Sequence, residues 1–347
     1  MTKFLLTGGS GFIAAHILEQ LLQQGHTVVT TVRSEAKAAP IKTAHTKEIS
    51  EGRLEIYLVP DIKSPGAFDE VVKSPGVEYV LHTASPFHYN WTDPKTELVD
   101  PAISGTKSIL KAVHSLCPSV KRVVVTSSFA SVMNAAKMTD STVVYNEACW
   151  NPNVLEDIYK GPAEAYRVSK TLAERAAWSF IEEKEPSFDL ATICPPLVFG
   201  PVAHHIESLD QMNESNKRIA SLVRGGWRTD EGGIPATSVY FWIDVRDVAA
   251  AHIKAAMVPE AGGKRFFTTA GFFCHNEMIE AVRKHYPALE GKLPVPGAIG
   301  GSLPPKEQVA GYDNTRATQV LGMEWIGIEQ CIVDTIRNFE EIEKLGI

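Results

Sequence analysis

Short apolar runs alternate with longer amphipathic stretches along the first half of the chain. The runs at 3–7, 27–32, 54–59, 77–83, 120–127 and 190–194 are rich in Val, Leu and Ile and predict strands. Between the first two, Ile13, Ile17, Leu18, Leu21 and Leu22 recur at helical spacing, and Gly25 follows as a predicted C-cap. The stretches 97–116 and 163–185 carry the same period, and Pro186 stops the second.

Alternation of this kind predicts βαβ units. The fold class expected is α/β: a doubly wound parallel Rossmann sheet with a smaller C-terminal substrate-binding domain. After Cys194 the texture changes. Pro195-Pro196, Gly200-Pro201, Gly225-Gly226, Gly232-Gly233 and Pro304-Pro305 mark a loop-rich half. One helical stretch, from Ile243 to His252, interrupts it, with Asp244 as the expected N-cap and Asp247 near the capping-box position. The division is 1–194 for a nucleotide-binding domain and 195–347 for the substrate side, with a segment near 243–256 returning to the first. The acidic C-terminal helix is expected to turn Phe339 and Ile342 inward.

Composition narrows the class. The chain has 347 residues, 44% hydrophobic and 22% charged, with a formal charge of −7. It lacks a long basic run, so no nucleic-acid partner is expected. Nor is there an apolar stretch of the roughly 20 residues that span a bilayer, so no membrane partner is expected. Five scattered cysteines without a Cys-x-x-Cys pair read as reduced packing residues of a cytoplasmic protein. The opening MTKFLL does not resemble a signal peptide and the C-terminus carries no peroxisomal address, so the Asn90-Trp91-Thr92 sequon is expected to be silent. His204-His205 has no converging Cys, Asp or Glu, and no metal is expected.

Gly8-x-x-Gly11-x-x-Ala14 follows a predicted strand and opens a predicted helix. Gly8 permits the tight turn. Gly11 lacks a Cβ, so a pyrophosphate can approach the backbone, and Ala14 lets helix and strand pack closely. The helix N-terminus then presents free N–H groups and a positive dipole end to phosphate. A dinucleotide site follows. Sites for NAD usually carry an acid at the end of the second strand. Here Arg33 stands there, with Ser34 beside it and Lys37 one turn on. A guanidinium suits a 2′-phosphate, which points to NADP. Glu35 is the nearest acid and remains a candidate for a ribose hydroxyl. Asp61, after the third strand, suits either the adenine amine or a helix cap.

Tyr166-Arg167-Val168-Ser169-Lys170 places a tyrosine and a lysine on one helix face. A nearby ammonium favours phenolate and lowers a tyrosine from its usual value near 10. Such a tyrosine can give its proton to a developing alkoxide. The fifth strand ends Thr126-Ser127-Ser128, where ligands bind in open α/β sheets. A serine there can hold a carbonyl oxygen or simply cap the strand.

Taken in order, the glycine turn, Thr31-Val32-Arg33-Ser34, His82-Thr83-Ala84-Ser85-Pro86-Phe87, Thr126-Ser127-Ser128, Tyr166-x-x-x-Lys170, Phe199-Gly200-Pro201 and Ile243-Asp244-Val245-Arg246-Asp247-Val248-Ala249 span nearly the whole chain. Together they resemble the extended short-chain dehydrogenase/reductases, and within them the fungal NADP-dependent carbonyl and methylglyoxal reductases, relatives of plant dihydroflavonol reductases. The resemblance implies reduction of aldehydes or ketones with NADPH. Tyr166 would be the general acid, Ser128 rather than Ser127 would orient the carbonyl, and Lys170 would bind the nicotinamide ribose. Cofactor contacts would extend over Thr7, Gly8, Ser10, Gly11, Phe12, Ile13, Arg33, Lys37, Asp61, Ile62, Thr83, Ala84, Ser85, Tyr166, Lys170 and Pro195. The partner would be a small carbonyl substrate, and the enzyme a monomer or homodimer. Phe87, Phe129 and Phe199 are candidates for an apolar substrate wall or for core. Two departures stand out. Ser104 occupies a position where relatives often have Asn. Phe129-Ala130-Ser131 replaces the acids that sugar-nucleotide dehydratases carry after the serine, which removes elimination chemistry. A sugar-nucleotide epimerase and a non-catalytic NADP-binding redox sensor remain as alternatives on the same scaffold.

Overall fold

Seven parallel strands form the main sheet of the computed structural model, which describes residues 1–85, 91–228 and 233–343. They are β1 (Lys3–Thr7), β2 (Thr27–Val32), β3 (Leu54–Leu58), β4 (Val77–His82), β5 (Arg122–Thr126), β6 (Asp189–Cys194) and β7 (Lys264–Phe267). Their spatial order is β7-β6-β5-β4-β1-β2-β3. The strand order turns back between β1 and β4, so a crevice opens there at the carboxyl ends of the strands.

The helices that matter for the site are α1 (Phe12–Gln23), α2 (Glu35–Ala44), α3 (Asp100–Leu116), α4 (Pro162–Lys184), α5 (Val245–Met257), α6 (His275–His285) and α7 (Ile328–Glu343). Strand residues divide by the period of two. Phe4, Leu6, Val28, Leu81 and Val124 pack under α1 and α5. Leu5, Val29, Val80, Val123 and Leu190 pack under α3 and α4. Burial on both faces is why these strands read as nearly unbroken apolar runs.

Chain beyond residue 194 contributes more to this sheet than its texture suggests. Helix α5 lies on the α1 face, and buried Arg122 holds its C-terminus by donating to Ala255 O at 2.9 Å while pairing with Asp189. Strand β7 was not expected from the sequence: its four residues sit between glycines and loops, and only pairing with β6 defines them. A second small sheet also went unrecognised. Leu197–Phe199 pairs parallel with Phe241–Asp244, which pairs antiparallel with Gly271–Phe272. The remaining lobe packs Met278, Ile279 and Val282 of α6 against Ile332, Ile336 and Phe339 of α7, with Ile342 half-buried beside them.

At the start of α5, Asp244 is the N-cap and accepts from Arg246 N at 2.8 Å. Asp247 does not complete a capping box. Its Oδ2 accepts from Ile326 N at 2.9 Å, tying the segment before α7 to α5. Burial pushes the Asp247 carboxyl up to about 6, against which the Ile326 N–H pulls it down. Among the described residues, no helix is long and apolar enough to cross a membrane.

Candidate active site

The turn after β1 is held by the neighbouring strand. Gly8 has φ +76°, and a Cβ there would lie 3.1 Å from Ala84 Cα. Gly9 lies flat on β2: a Cβ would fall 2.2 Å from Thr30 Oγ1, a requirement the sequence pattern did not single out. Gly8 N donates to Thr31 Oγ1 at 3.2 Å and Gly9 N to Thr31 O at 2.8 Å. Gly11 is the N-cap of α1, no side chain caps that helix, and its first turn holds no acid. Ala14 is buried against the sheet. The first-turn N–H groups are left for an anion.

Ends of β1 and β4 are locked beside this turn. Thr7 Oγ1 accepts from Ala84 N at 3.1 Å and meets His82 Nδ1 at 2.9 Å, while Thr83 Oγ1 donates to Thr7 O at 2.6 Å. Burial, with Lys170 adding to it, pushes His82 down to about 3, so its imidazole is neutral.

At the end of β2, Arg33 is exposed and makes no ion pair or hydrogen bond among the described residues. Lys37 is exposed one turn further on. Glu35 is turned to Lys42 at 2.9 Å. Asp61 accepts from Lys63 N at 3.1 Å and from Ser64 Oγ at 3.3 Å, so it caps a local turn and not a helix. Ile62 packs on α3, where a Cβ at Gly105 would lie 2.7 Å from its Cδ1.

At the other end of the crevice, Tyr166 and Lys170 stand one turn apart near the start of α4. Lys170 Nζ lies 3.5 Å from Thr126 O, the last carbonyl of β5. Burial pushes Lys170 down to about 8, against the opposing pull of the Glu174 carboxylate and Cys194. His82, Ala84, Ser85, Thr126, Ser127 and Lys170 line one narrow cleft. Pro195 follows β6, and its carbonyl accepts from Phe129 N at 2.8 Å, which couples the ends of β5 and β6.

The two serines differ. Ser127 Oγ donates to Glu174 Oε2 at 2.5 Å and is committed inward. Ser128 Oγ accepts from Ala130 N at 3.1 Å, its one hydrogen bond among the described residues, so its own proton stays available for a ligand oxygen. Ser104 Oγ donates back to Asp100 O at 2.7 Å and is satisfied within its own helix.

Of the two alternatives for the aromatic residues, wall or core, Phe129 and Phe199 take the second. Phe129 is buried and stacks on Phe267 at 5.0 Å, with Tyr145 and Phe241 edge-on to it. Phe199 is wholly buried against Phe273 and Trp242. Both are core residues, because β7 and the small sheet supply aromatic partners the sequence did not reveal. Phe87 lies outside the described residues.

Sequence reading stopped at Lys170 and missed Glu174 and Arg265. A carboxylate at i+4 from Lys170 was a signal on the same helix face. Arg265 carried none, since only the fold brings β7 beside α4.

A Rossmann sheet, a glycine turn feeding an uncapped helix, and a Tyr–Lys pair on α4 whose lysine reaches the end of β5 define a nucleotide-dependent enzyme of the short-chain dehydrogenase/reductase type. The chain belongs to the NAD dependent epimerase/dehydratase family, whose pattern matches residues 4–267. It is 42% identical to a ketoreductase of Aspergillus niger over 340 residues, 98% of each chain. Identity to an NADPH-dependent methylglyoxal reductase of Saccharomyces cerevisiae is 34%, over 97% of this chain and 98% of the relative. The crystal structure of yeast methylglyoxal/isovaleraldehyde reductase complexed with NADPH superposes with a TM-score of 0.90 at 33% identity, covering 99% of this chain and 100% of that one.

Proposed function

We propose that this protein reduces aldehydes and ketones to alcohols with NADPH. The observation that carries the reading is the Tyr166–Lys170 pair on α4, with Lys170 Nζ 3.5 Å from Thr126 O at the end of β5, two residues before Ser128. Its similarity to NADPH-dependent reductases over nearly its whole length supports the same reading.

The residues present fit a dinucleotide carrying a 2′-phosphate. Gly8 and Gly9 let the turn lie close against Ala84 and Thr30, α1 offers uncapped N–H groups, and the Arg33 side chain is unpaired among the described residues. Arg33 and Lys37 would hold the 2′-phosphate, the α1 N-terminus the pyrophosphate, and Lys170 the nicotinamide ribose. When bound, the nicotinamide supplies the hydride. Ser128 donates its hydroxyl proton to the substrate carbonyl oxygen and orients it. Tyr166 gives its phenolic proton to that oxygen as negative charge develops there. Lys170 stabilises the resulting phenolate by its charge.

Tyr166→Phe tests this directly. The account expects kcat to fall at least about a hundredfold, within the usual range for a lost general acid. NADPH affinity, read by fluorescence titration, should change by less than about threefold. A variant with a near-normal kcat would refute the assignment.

A further inference from the structure

Glu174 takes no part in the chemistry just described, yet the reacting end is built around it. It is 1% exposed and stands one turn beyond Lys170, so Tyr166, Lys170 and Glu174 climb one face of α4. Its Oε2 accepts from Ser127 Oγ and Ser131 Oγ, each at 2.5 Å. Its Oε1 accepts from Thr192 Oγ1 at 2.8 Å and from Arg265 Nε at 2.7 Å. Arg265 is held in turn by Glu147 O at 2.6 Å and Cys149 O at 2.7 Å, with its guanidinium 3.7 Å from the Trp150 ring centre. One carboxylate thus joins α4, β6, β7 and the turn after β5.

Stability alone is a weak reason for such a cluster, because an apolar set of the same volume often serves a fold as well as a buried ion pair. Two consequences bear on the reaction instead. Ser127 and Ser131 bracket Ser128, so the carboxylate fixes the turn that presents the Ser128 hydroxyl. Its negative charge also lies one helical turn from Lys170. We propose that Glu174 is a positioning residue for the reduction, holding the Ser128 turn through Ser127 and Ser131 and keeping Lys170 protonated beside Tyr166. The proposal rests on the reductase reading of Tyr166.

The other groups around Lys170 do not replace this charge. His82 on β4 is neutral. Cys194 at the end of β6 is a protonated thiol, pushed up to about 12 by burial first and then by Glu174. Arg265, behind Glu174, is cationic. Burial pushes Glu174 itself up, but Arg265 and the Ser127 and Ser131 hydroxyls pull it below the ordinary carboxylate value, so it is ionised.

Removing a negative charge favours the deprotonated form of Lys170 and, above the pH at which Lys170 has lost its proton, that of Tyr166 as well. Glu174→Gln keeps an acceptor for the serines and should move two readouts to lower pH by about one unit. One is the basic limb of kcat/KM for carbonyl reduction. The other is the phenolate titration of Tyr166 at 295 nm, taken as each protein minus its own Tyr166→Phe counterpart. The double variant Glu174→Gln/Arg265→Met removes the carboxylate without leaving a buried unpaired cation and should also move both to lower pH, while Thr192→Val, which changes no charge, should move neither. Unmoved limbs and titrations in folded Glu174→Gln would overturn the proposal. If Glu174→Gln alone does not fold, the absence of a downward shift in the folded double variant would overturn it. A wild-type protein that turns over no carbonyl, but whose Tyr166 titration moves with Glu174, would refute the reductase reading and leave the electrostatic role of Glu174 standing.

Discussion

At one end of the crevice, Arg33 and Lys37 stand exposed at the close of β2 and the start of α2, with the nearest acid turned to Lys42. At the reacting end, Ser127, Ser131, Thr192 and Arg265 converge on one buried carboxylate, and Thr126 Oγ1 meets His252 Nε2 from α5 at 2.7 Å. The first end carries exposed charge with few internal contacts. The second is held by hydrogen bonds within the protein. Affinity and cofactor choice tolerate adaptable side chains in water, whereas proton donation needs groups fixed to within fractions of an ångström. On the proposed reading, discrimination between cofactors lies in one region and catalysis in the other, and variants should separate them.

The largest separation is expected from the two adjacent serines. Ser128→Ala should lower kcat by about a hundredfold or more, the usual cost of losing one donor to a developing oxyanion. Ser127→Ala removes one of several donors to Glu174 and should cost about tenfold or less. Steady-state kinetics on both variants decides it, and a larger loss in Ser127→Ala would reverse the assignment. Arg33→Ala comes next. It should raise the NADPH Kd by about 10–100-fold, the range for a hydrogen-bonded charge, and leave NADH within about threefold. Raising the salt should shrink the gap, because the side chain is exposed. Equal losses for both cofactors would remove Arg33 from the 2′-phosphate.

The smallest effect lies away from both ends, at Asp247. Burial holds its carboxyl at about 6 against an ordinary 3.8, so the folded chain keeps a proton that the unfolded chain has released. That stabilisation is present at low pH and drains as pH rises from about 4 through about 6. Asp247→Asn keeps an acceptor for Ile326 N and removes the titration. The Tm of wild type minus that of Asp247→Asn should therefore fall by a few degrees between about pH 4 and pH 6.5, with kcat unchanged. A flat difference would show that Asp247 is ionised throughout.

Features written in contiguous residues were legible. The glycine turn, the basic residue closing β2 and the Tyr–Lys pair each depend on a few neighbouring positions, and the alternation of strand and helix depends only on period. Long-range partners were not. Glu174 meets Arg265 across 91 residues, and nothing near Arg265 announces it. Phe129 reads as a pocket residue until β7 brings Phe267 against it. Asp247 sits where a capping box would place it, yet its partner is Ile326, brought in from 79 residues away. In each case the missing information was tertiary: the side chain's own segment left its partner undefined.

The most direct test follows the absorbance of reduced cofactor with purified protein and a panel of methylglyoxal, diacetyl, an aryl ketone, a β-keto ester and a dihydroflavonol, with NADPH and NADH in parallel. The account predicts oxidation of NADPH by at least one carbonyl, at a kcat/KM at least about tenfold above that with NADH, the share of one charged hydrogen bond to the 2′-phosphate. Silence across the panel while NADPH binds would contradict it.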